Sequence, residues 1–527
     1  MRPPLATLDG MTFDVVVIGA GAVGASSAQH LAAAGYRTLL VDKGDFGSGT
    51  SSRSSRLLYT GLAHFSPDYA LWRFIYRPHD LVRRVRMARL SMRSRTEIAS
   101  TMPERVSRHT FFFPIYEGGD YAGWKVDLAY RALGLFGSSK VPLSYRRLPA
   151  EDAARQFGLV ALMDRRRLTS VAVFEEYQFQ WPERICLDTA LDAGRCGAVL
   201  RNYTGVVELS PIASGGWRLG LEDCTASAER AYVEARAVVN AAGPWADRVL
   251  RRSTGAQPRR KHLVGIKGIN LVVRLPDSCR GTGFEMISSI GQPFYCMPWG
   301  DHHFFGPTET IFEDDPDSVR VLPEEADFII GEANRALPSL NLTTRDIVYR
   351  WAGVRPRTSS EKDSGVKSLT IHDMAEEGMP GILTVTGSPI MIHRYAGRGV
   401  AAAVRRMLPA SGSPSELSYA VRPAPGDGPL SAERLHHAAR HEHAETLVDL
   451  LFRRVPVGWQ PDMGLDEARR AAGIVAGVLG WDAARIGREV AAYRQFVMEN
   501  FEPRALAELP VAPPVGTAEA AVGIVGA

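Results

Sequence analysis

Residues 13–42 constrain this chain more than any other stretch. The run Phe13, Asp14, Val15, Val16, Val17, Ile18 is too apolar and β-branched for an exposed element, so it predicts a buried parallel strand. Glycines follow at once: Gly19, Gly21 and Gly24, with Ala22 and Val23 opening a small-residue helix between them. In this spacing the first glycine permits a tight turn, the second lets a pyrophosphate approach the backbone, and the third lets the helix press on the strand. Gly35 ends that helix, and Leu39, Leu40 and Val41 form a second strand that stops at Asp42. An acid at that point can take both ribose hydroxyls of an adenosine. A glycine-rich turn alone is weak evidence, but strand, helix, second strand and acid in register read as a dinucleotide site.

At 527 residues the chain is too long for one ordinary core, and two or three domains are expected. Its 62 basic and 58 acidic residues leave a net charge of +4, which by itself argues neither for nor against nucleic acid. No nucleic-acid partner is expected. Arg83, Arg84, Arg86, Arg89, Arg93 and Arg95 crowd one predicted helix, and Arg86, Arg89 and Arg93 share a face. That face is either solvated or turned towards anionic lipid or an anionic substrate. Cys186, Cys196, Cys224, Cys279 and Cys296 show no ligand spacing, so neither a disulfide framework nor a metal site is expected. No apolar leader precedes the first strand, and the apolar run at residues 471–481 is too short to span a bilayer. The expected location is cytoplasmic, or peripheral on the inner face of the membrane.

Lys43 follows Asp42, and then comes a glycine and hydroxyl run that includes Thr50, Ser51, Ser52, Ser54, Ser55 and Arg56. Returning towards the nucleotide, it offers backbone N–H and hydroxyl donors to phosphate or ribityl oxygens. A short strand carries Val206 and Val207, and a buried strand at residues 237–240 ends in Ala241, Ala242, Gly243 and Trp245. Alternating runs at residues 269–275, 294–298 and 303–306 predict a mostly antiparallel second sheet that interrupts the first domain. Residues 408–430 read as a Pro, Ser and Gly linker. Residues 431–508 read as a helical domain with Leu450, Leu451, Trp459 and Trp481 as core, and 509–527 as a disordered tail. The expected fold class is α/β, with a Rossmann-like domain (1–60, 185–250, 345–407), a sheet substrate domain (61–184, 251–344) and C-terminal helices.

These pieces resemble the FAD-dependent glycerol-3-phosphate dehydrogenases, a branch of the D-amino-acid-oxidase-like flavoproteins. The resemblance rests on the fingerprint above, the run from Thr50 to Leu57, Asn240 to Trp245, Lys267 and Gly268, Pro298 and Trp299, Gly353 to Pro356, and residues 447–459. It implies non-covalent FAD, and hydride transfer from a secondary carbinol carbon with quinone or oxygen as electron acceptor. Gly387, Ile390 and Met391 are implied at the cofactor. A small-molecule substrate is implied, and a homodimer is allowed.

The chain departs from the family where the phosphorylated substrate is held. Tyr59, Thr60, Gly61, Leu62, Ala63 and His64 stand where the family reads His-Gly-Gly-Leu-Arg-Tyr, which removes an arginine. Ser388 to Arg394 replaces a stretch containing a lysine, a threonine pair and a tyrosine; Asn270 replaces a histidine, and Pro307, Thr308 and Glu309 replace a Thr-Thr-Asp stretch. Arg355 survives, and it can stabilise charge at the flavin edge or hold a substrate anion. His393 and His64 are expected as bases near neutral pH, with Tyr59, Asn270, Thr308, Arg355 and His393 contacting substrate. The expected activity is FAD-dependent dehydrogenation or oxidation of a CH–OH or CH–NH donor, on a hydroxylated, sugar- or polyol-like metabolite of specialised metabolism. An authentic glycerol-3-phosphate dehydrogenase and a non-catalytic flavin-binding subunit remain the alternatives.

Overall fold

The apolar run at the start of the chain forms β1 (Thr12–Ile18), which is followed by α1 (Ala22–Ala33) and β2 (Thr38–Val41). This is a computed structural model, and it describes residues 2–61, 78–119, 121–225, 228–359, 369–419, 421 and 425–504. His64 and the tail expected at 509–527 lie outside the described residues.

Val15 to Ile18 of β1 are apolar because both faces of the strand are covered. Val15 and Val17 pack under α1, while Phe13, Val16 and Ile18 face a second cluster on the opposite side. β1 lies between β2 and β10 (Arg230–Asn240) and is parallel to both. Ile18 pairs with both Val41 and Asn240, so the strand ends align and Gly19, Asp42 and Ala241 emerge side by side. β7 (Val199–Arg201) and β18 (Ile382–Thr386) extend the parallel sheet, and β17 (Thr370–Asp373) closes one edge antiparallel. β8 (Thr204–Pro211) and β9 (Trp217–Asp223) form a hairpin joined to β10.

The second sheet contains β3 (Leu57–Leu58), β4 (Val106–Tyr116), β5 (Arg146–Pro149), β6 (Leu168–Phe179) and β11 (Leu263–Val273). It also holds β12 (Thr282–Ile287), β13 (Pro293–Trp299), β14 (His302–Gly306), β15 (Thr310–Phe312) and β16 (Ile347–Thr358). All its pairings are antiparallel except β4 with β12. Two segments expected in the dinucleotide domain therefore belong here: β3, and β16, which pairs with β11 along its whole length. Hydrophobic pattern predicts a strand but not the sheet that receives it.

α2 (Pro78–Thr101), α3 (Gly123–Phe136) and the C-terminal helices pack on one face of this sheet. α4 (Pro182–Arg195) and α6 (His393–Met407) flank α1 on the first sheet, whereas α5 (Pro323–Ala336) covers the other face of the second sheet. α7 (Ala432–His441), a turn at Asp449–Arg454, α8 (Ala468–Leu479) and α9 (Ala483–Phe501) form the helical end. Leu450, Leu451 and Trp459 lie in its core as expected, with Trp481 packed against it. The expected linker is anchored rather than free: Gly412 N–H donates to Gly35 O at 2.8 Å and Ser415 N–H to Ala33 O at 2.7 Å.

Charge joins the helical end to the dinucleotide domain. Asp45 is fully buried, three residues past Asp42, and its carboxylate accepts from Arg453, Arg454 and Asn202. Arg184 adds a bidentate pair with Glu442, both contacts at 2.7 Å. Burial alone would raise the Asp45 pKa, but Arg454 and Arg453 outweigh it and hold the carboxyl below its ordinary range. Asp45→Ala leaves two buried guanidiniums short of a partner and should cost about 3–5 kcal/mol in denaturant unfolding. The contribution of Asp45 is complete above the unfolded carboxylate pKa of about 4 and is lost as pH falls below it, so the variant's deficit should shrink in acid.

Candidate functional site

The aligned strand ends open into a cavity of about 1130 Å³ that runs from the first sheet to the second. Ordinary small-molecule sites occupy roughly 300–1,000 Å³, so this one has room for a dinucleotide and a second small molecule. Its nucleotide end is built from absent side chains. Gly19 has φ +97°, and a Cβ there would lie 2.6 Å from Ala241 O; a Cβ on Gly24 would lie 1.7 Å from Gly19 O. The first glycine thus makes the turn, and the third seats α1 against it. Gly21, Ala22 and Val23 put the N-terminus of α1 on the cavity wall, where backbone N–H groups and the helix dipole favour an anion. Ala22 N–H donates to Ser51 Oγ at 3.0 Å, which ties the serine run to the same place.

Asp42 is held by two backbone donors, Ala20 N–H to Oδ2 at 2.6 Å and Gly44 N–H to Oδ1 at 2.9 Å. Each carboxylate oxygen keeps a further lone pair that a ribose hydroxyl can use. Burial pushes the Asp42 pKa up to about 6 against the opposing effect of these bonds. Lys43 sits at the rim, 2.7 Å from Asp317 and over the Trp245 ring. Thr50, Ser54, Ser55, Val206, Val207, Ala242, Gly243, Gly387 and Ile390 also line the cavity.

At the far end stand Tyr59, Asn270, Gln292, Tyr295, Glu309 and Arg355. Arg355 projects from β16 and donates to Glu309 Oε1 at 2.8 Å. Asn270 is 1 % exposed, and its Oδ1 has no partner among the described residues. Burial pushes the Tyr59 hydroxyl up to about 12, so it stays protonated.

Several expected residues are placed elsewhere. His393 does not line the cavity: it begins α6 with its ring 1 % exposed, Nδ1 facing Ile390 O at 2.9 Å, and burial pushes its pKa down to about 3. The helix start turns the ring inward, and an imidazole so weakly basic is no acceptor near neutral pH. Thr308 is buried, with its hydroxyl accepting Ile269 N–H at 3.3 Å. Met391 is packed with Leu58, Ile98 and Ile392, while the Ser52 hydroxyl donates to Ser48 O and Gly49 O within its own turn. Arg56 borders the cavity, but its guanidinium points away, 4.4 Å from the Trp299 ring centroid and 3.9 Å from that of Trp459. Sequence reasoning missed Arg53, Gln292, Tyr295 and Glu309 as wall residues. Arg53, inside the serine run, and Glu309, in a stretch that departs from the family, carried a signal; Gln292 and Tyr295 did not.

A parallel sheet with a glycine cradle at its carboxyl edge, opening onto a second sheet, defines a dinucleotide-binding protein. Residues 14–403 match the FAD dependent oxidoreductase family, and residues 400–486 match the C-terminal domain of alpha-glycerophosphate oxidase. The chain belongs to the FAD dependent oxidoreductase family. Glycerol-3-phosphate dehydrogenase of Synechocystis is 26 % identical over 450 residues, covering 82 % of this chain and 78 % of its own. Glycerol-3-phosphate dehydrogenase 2 of Mycobacterium tuberculosis is 27 % identical, covering 91 % and 87 %. The solved glycerol-3-phosphate dehydrogenase of Bacillus halodurans, complexed with FAD, superposes with a TM-score of 0.71 at 19 % identity, over 94 % of this chain and 96 % of that one. FAD is the cofactor of the family, and the cradle, the Asp42 carboxylate and the cavity's length fit it. A hydroxyl that donates to Asp42 binds the ionised form. FAD retention should therefore weaken about tenfold per pH unit below pH 6, the value to which burial raises Asp42, and Asp42→Asn should bind weakly with no such dependence in fluorescence titrations.

Proposed function

We propose that this flavoprotein oxidises a secondary alcohol, or an amine, on a hydroxylated sugar- or polyol-like metabolite that carries no phosphate dianion, in specialised metabolism. The ion pair between Arg355 and Glu309 supports this reading most directly. Arg355 is the cation at the far end of the cavity that a donor's phosphate would meet beside Asn270 and Tyr295, and Glu309 at 2.8 Å already matches its charge. A dianion would have to displace that carboxylate or lie against it, and each charge-assisted contact it forgoes is worth roughly 1.5–3 kcal/mol. Beside that pair, Tyr59, Asn270, Gln292 and Tyr295 are neutral hydrogen-bonding side chains suited to hydroxyls. The second reading, an authentic glycerol-3-phosphate dehydrogenase, is favoured by the names of the relatives and by the match of residues 400–486.

The electron acceptor is quinone or oxygen, and a surface feature favours quinone reached from a membrane. Trp124, Leu128 and Leu135 of α3 are exposed, Leu135 by 85 %, and helical spacing sets them along one stripe. α2 packs beside α3 and exposes Leu81, Val82, Arg86, Arg89 and Arg93. Apolar residues next to arginines suit an interface with anionic lipid. Among the described residues no helix is long and apolar enough to cross a membrane.

Anaerobic mixing with a panel of alcohols, amines and glycerol 3-phosphate tests the donor. Bleaching of the flavin by a polyol but not by glycerol 3-phosphate is expected; efficient bleaching by glycerol 3-phosphate establishes the second reading, and an inert flavin points to a binding subunit. In flotation with phosphatidylglycerol vesicles the wild type should rise with the lipid. A variant with Trp124, Leu128 and Leu135 changed to serine should stay below, and equal flotation of both would remove the stripe from the interface.

A further inference from the structure

A row of side chains leads across the second sheet from the cavity into the interior. Trp351 pairs with Asn270 across β16 and β11, Gly306 pairs with Tyr295 across β14 and β13, and Tyr295 pairs with Glu285 across β13 and β12. Gly306 joins the two halves, since a Cβ there would lie 2.6 Å from Asn270 Oδ1. Directly opposed residues on antiparallel strands project from one face with Cβ atoms about 4.5–5.5 Å apart. Asn270 and Tyr295 line the cavity, the missing side chain of Gly306 leaves space between them, and Glu285 stands behind Tyr295.

Glu285 is buried, with Tyr130 Oη donating to its Oε1 at 3.4 Å. Near it is a second buried carboxyl, Glu176 of β6, which accepts Thr60 N–H at 2.7 Å. Glu176 faces Arg95 of α2 and stands opposite His109 of β4. Tyr295 lies in the field of Glu285 and Glu176 on its inner side and of Tyr59 and Glu309 on the cavity side; Tyr130 feels Glu285, Glu176 and Tyr145. No cation touches Glu285 in the hydrogen bonds or ion pairs of the described residues.

We propose that Glu285 receives the proton released by the donor's hydroxyl or amine during oxidation, relayed through the Tyr295 hydroxyl. This rests on the oxidation of an alcohol or amine proposed above, and not on which metabolite carries it. FAD supplies the oxidant, taking the hydride and its electron pair from the donor carbon. As that C–H bond breaks, the donor's O–H or N–H bond breaks too and its electron pair forms the second bond of C=O or C=N. The donor's proton passes to Tyr295 Oη while the Tyr295 proton passes to the Glu285 carboxylate when the two side chains, neighbours across β13 and β12 with no hydrogen bond between them in this structure, come into contact. Tyrosine ends unchanged, Glu285 ends as a neutral acid, and its proton later returns to solvent. Burial, reinforced by Glu176, pushes Glu285 up to about 8, and burial pushes Glu176 up to about 7. A base works best when its pKa lies near the working pH.

Two measurements on the holoenzyme test the relay. Infrared difference spectra during a pH titration need no donor: the wild type should lose a protonated-carboxyl band as pH rises through about 8, and Glu285→Gln should lack that band. In rapid mixing with the donor found by the panel, the wild-type rate of flavin reduction should rise with pH to a plateau. Glu285→Gln should flatten the profile and lower its plateau about 100-fold. Tyr295→Phe should do the same, the double variant falling no further than either single one, and it carries the kinetic arm if Glu285→Gln fails to retain FAD. An infrared carboxyl band that still titrates through about pH 8 in Glu285→Gln, or a wild-type rate and pH profile in either variant, overturns the relay. A flavin that no donor reduces overturns the function proposed above, while the infrared titration still decides whether Glu285 holds the proton.

Discussion

The buried carboxylate of Asp45 is the contact on which the site's geometry depends. It lies between Asp42, at the end of β2, and the serine run that folds back over the N-terminus of α1. Its partners Arg453 and Arg454 lie about 400 residues further along the sequence, so the loop nearest the nucleotide is set by the helical end of the fold. Burying three charges together gives little net stability, because desolvation offsets most of the attraction. What it does give is one allowed docking position, since any slip would leave a charge unpaired in an apolar interior. Arg56 reinforces that position, its guanidinium lying between Trp299 of the second sheet and Trp459 of the helical end.

Local physics made the nucleotide end legible. A strand buried on both faces is mostly apolar, a turn at φ +97° favours glycine, and a helix seated on a carbonyl cannot carry a Cβ at Gly24. Each of these leaves its mark within a few residues, and so residues 13–42 could be read directly. The substrate end is assembled differently. Arg355, Glu309, Asn270 and Tyr295 come from four separate segments and meet only through the register of the second sheet. A one-residue slip would send each side chain to the other face, and nothing local in the sequence reports that register. His393 shows the reverse error: it stands beside an altered motif, yet the first turn of α6 directs its ring into the protein. Arg56 is similar, adjacent to cofactor-facing serines but aimed at two tryptophans.

The same register explains how a site without a cavity histidine among the described residues can still manage a proton. Alcohol oxidation separates into a hydride, which the cofactor accepts, and a proton, which the protein must accept. Glu309 is poorly suited to that second task because its carboxylate is already engaged by the Arg355 guanidinium. Glu285 is differently placed, with a tyrosine hydroxyl on one side, a second buried carboxyl near by and no guanidinium in contact. Two carboxyls in one apolar region cannot both ionise without a large penalty, so a proton is held there and is mobile near neutrality. A core composed only for stability would place apolar residues at positions 176 and 285, since buried acids are expensive. Their presence behind a cavity-lining tyrosine, on the row that Gly306 leaves open, is accounted for by proton transfer and not by packing.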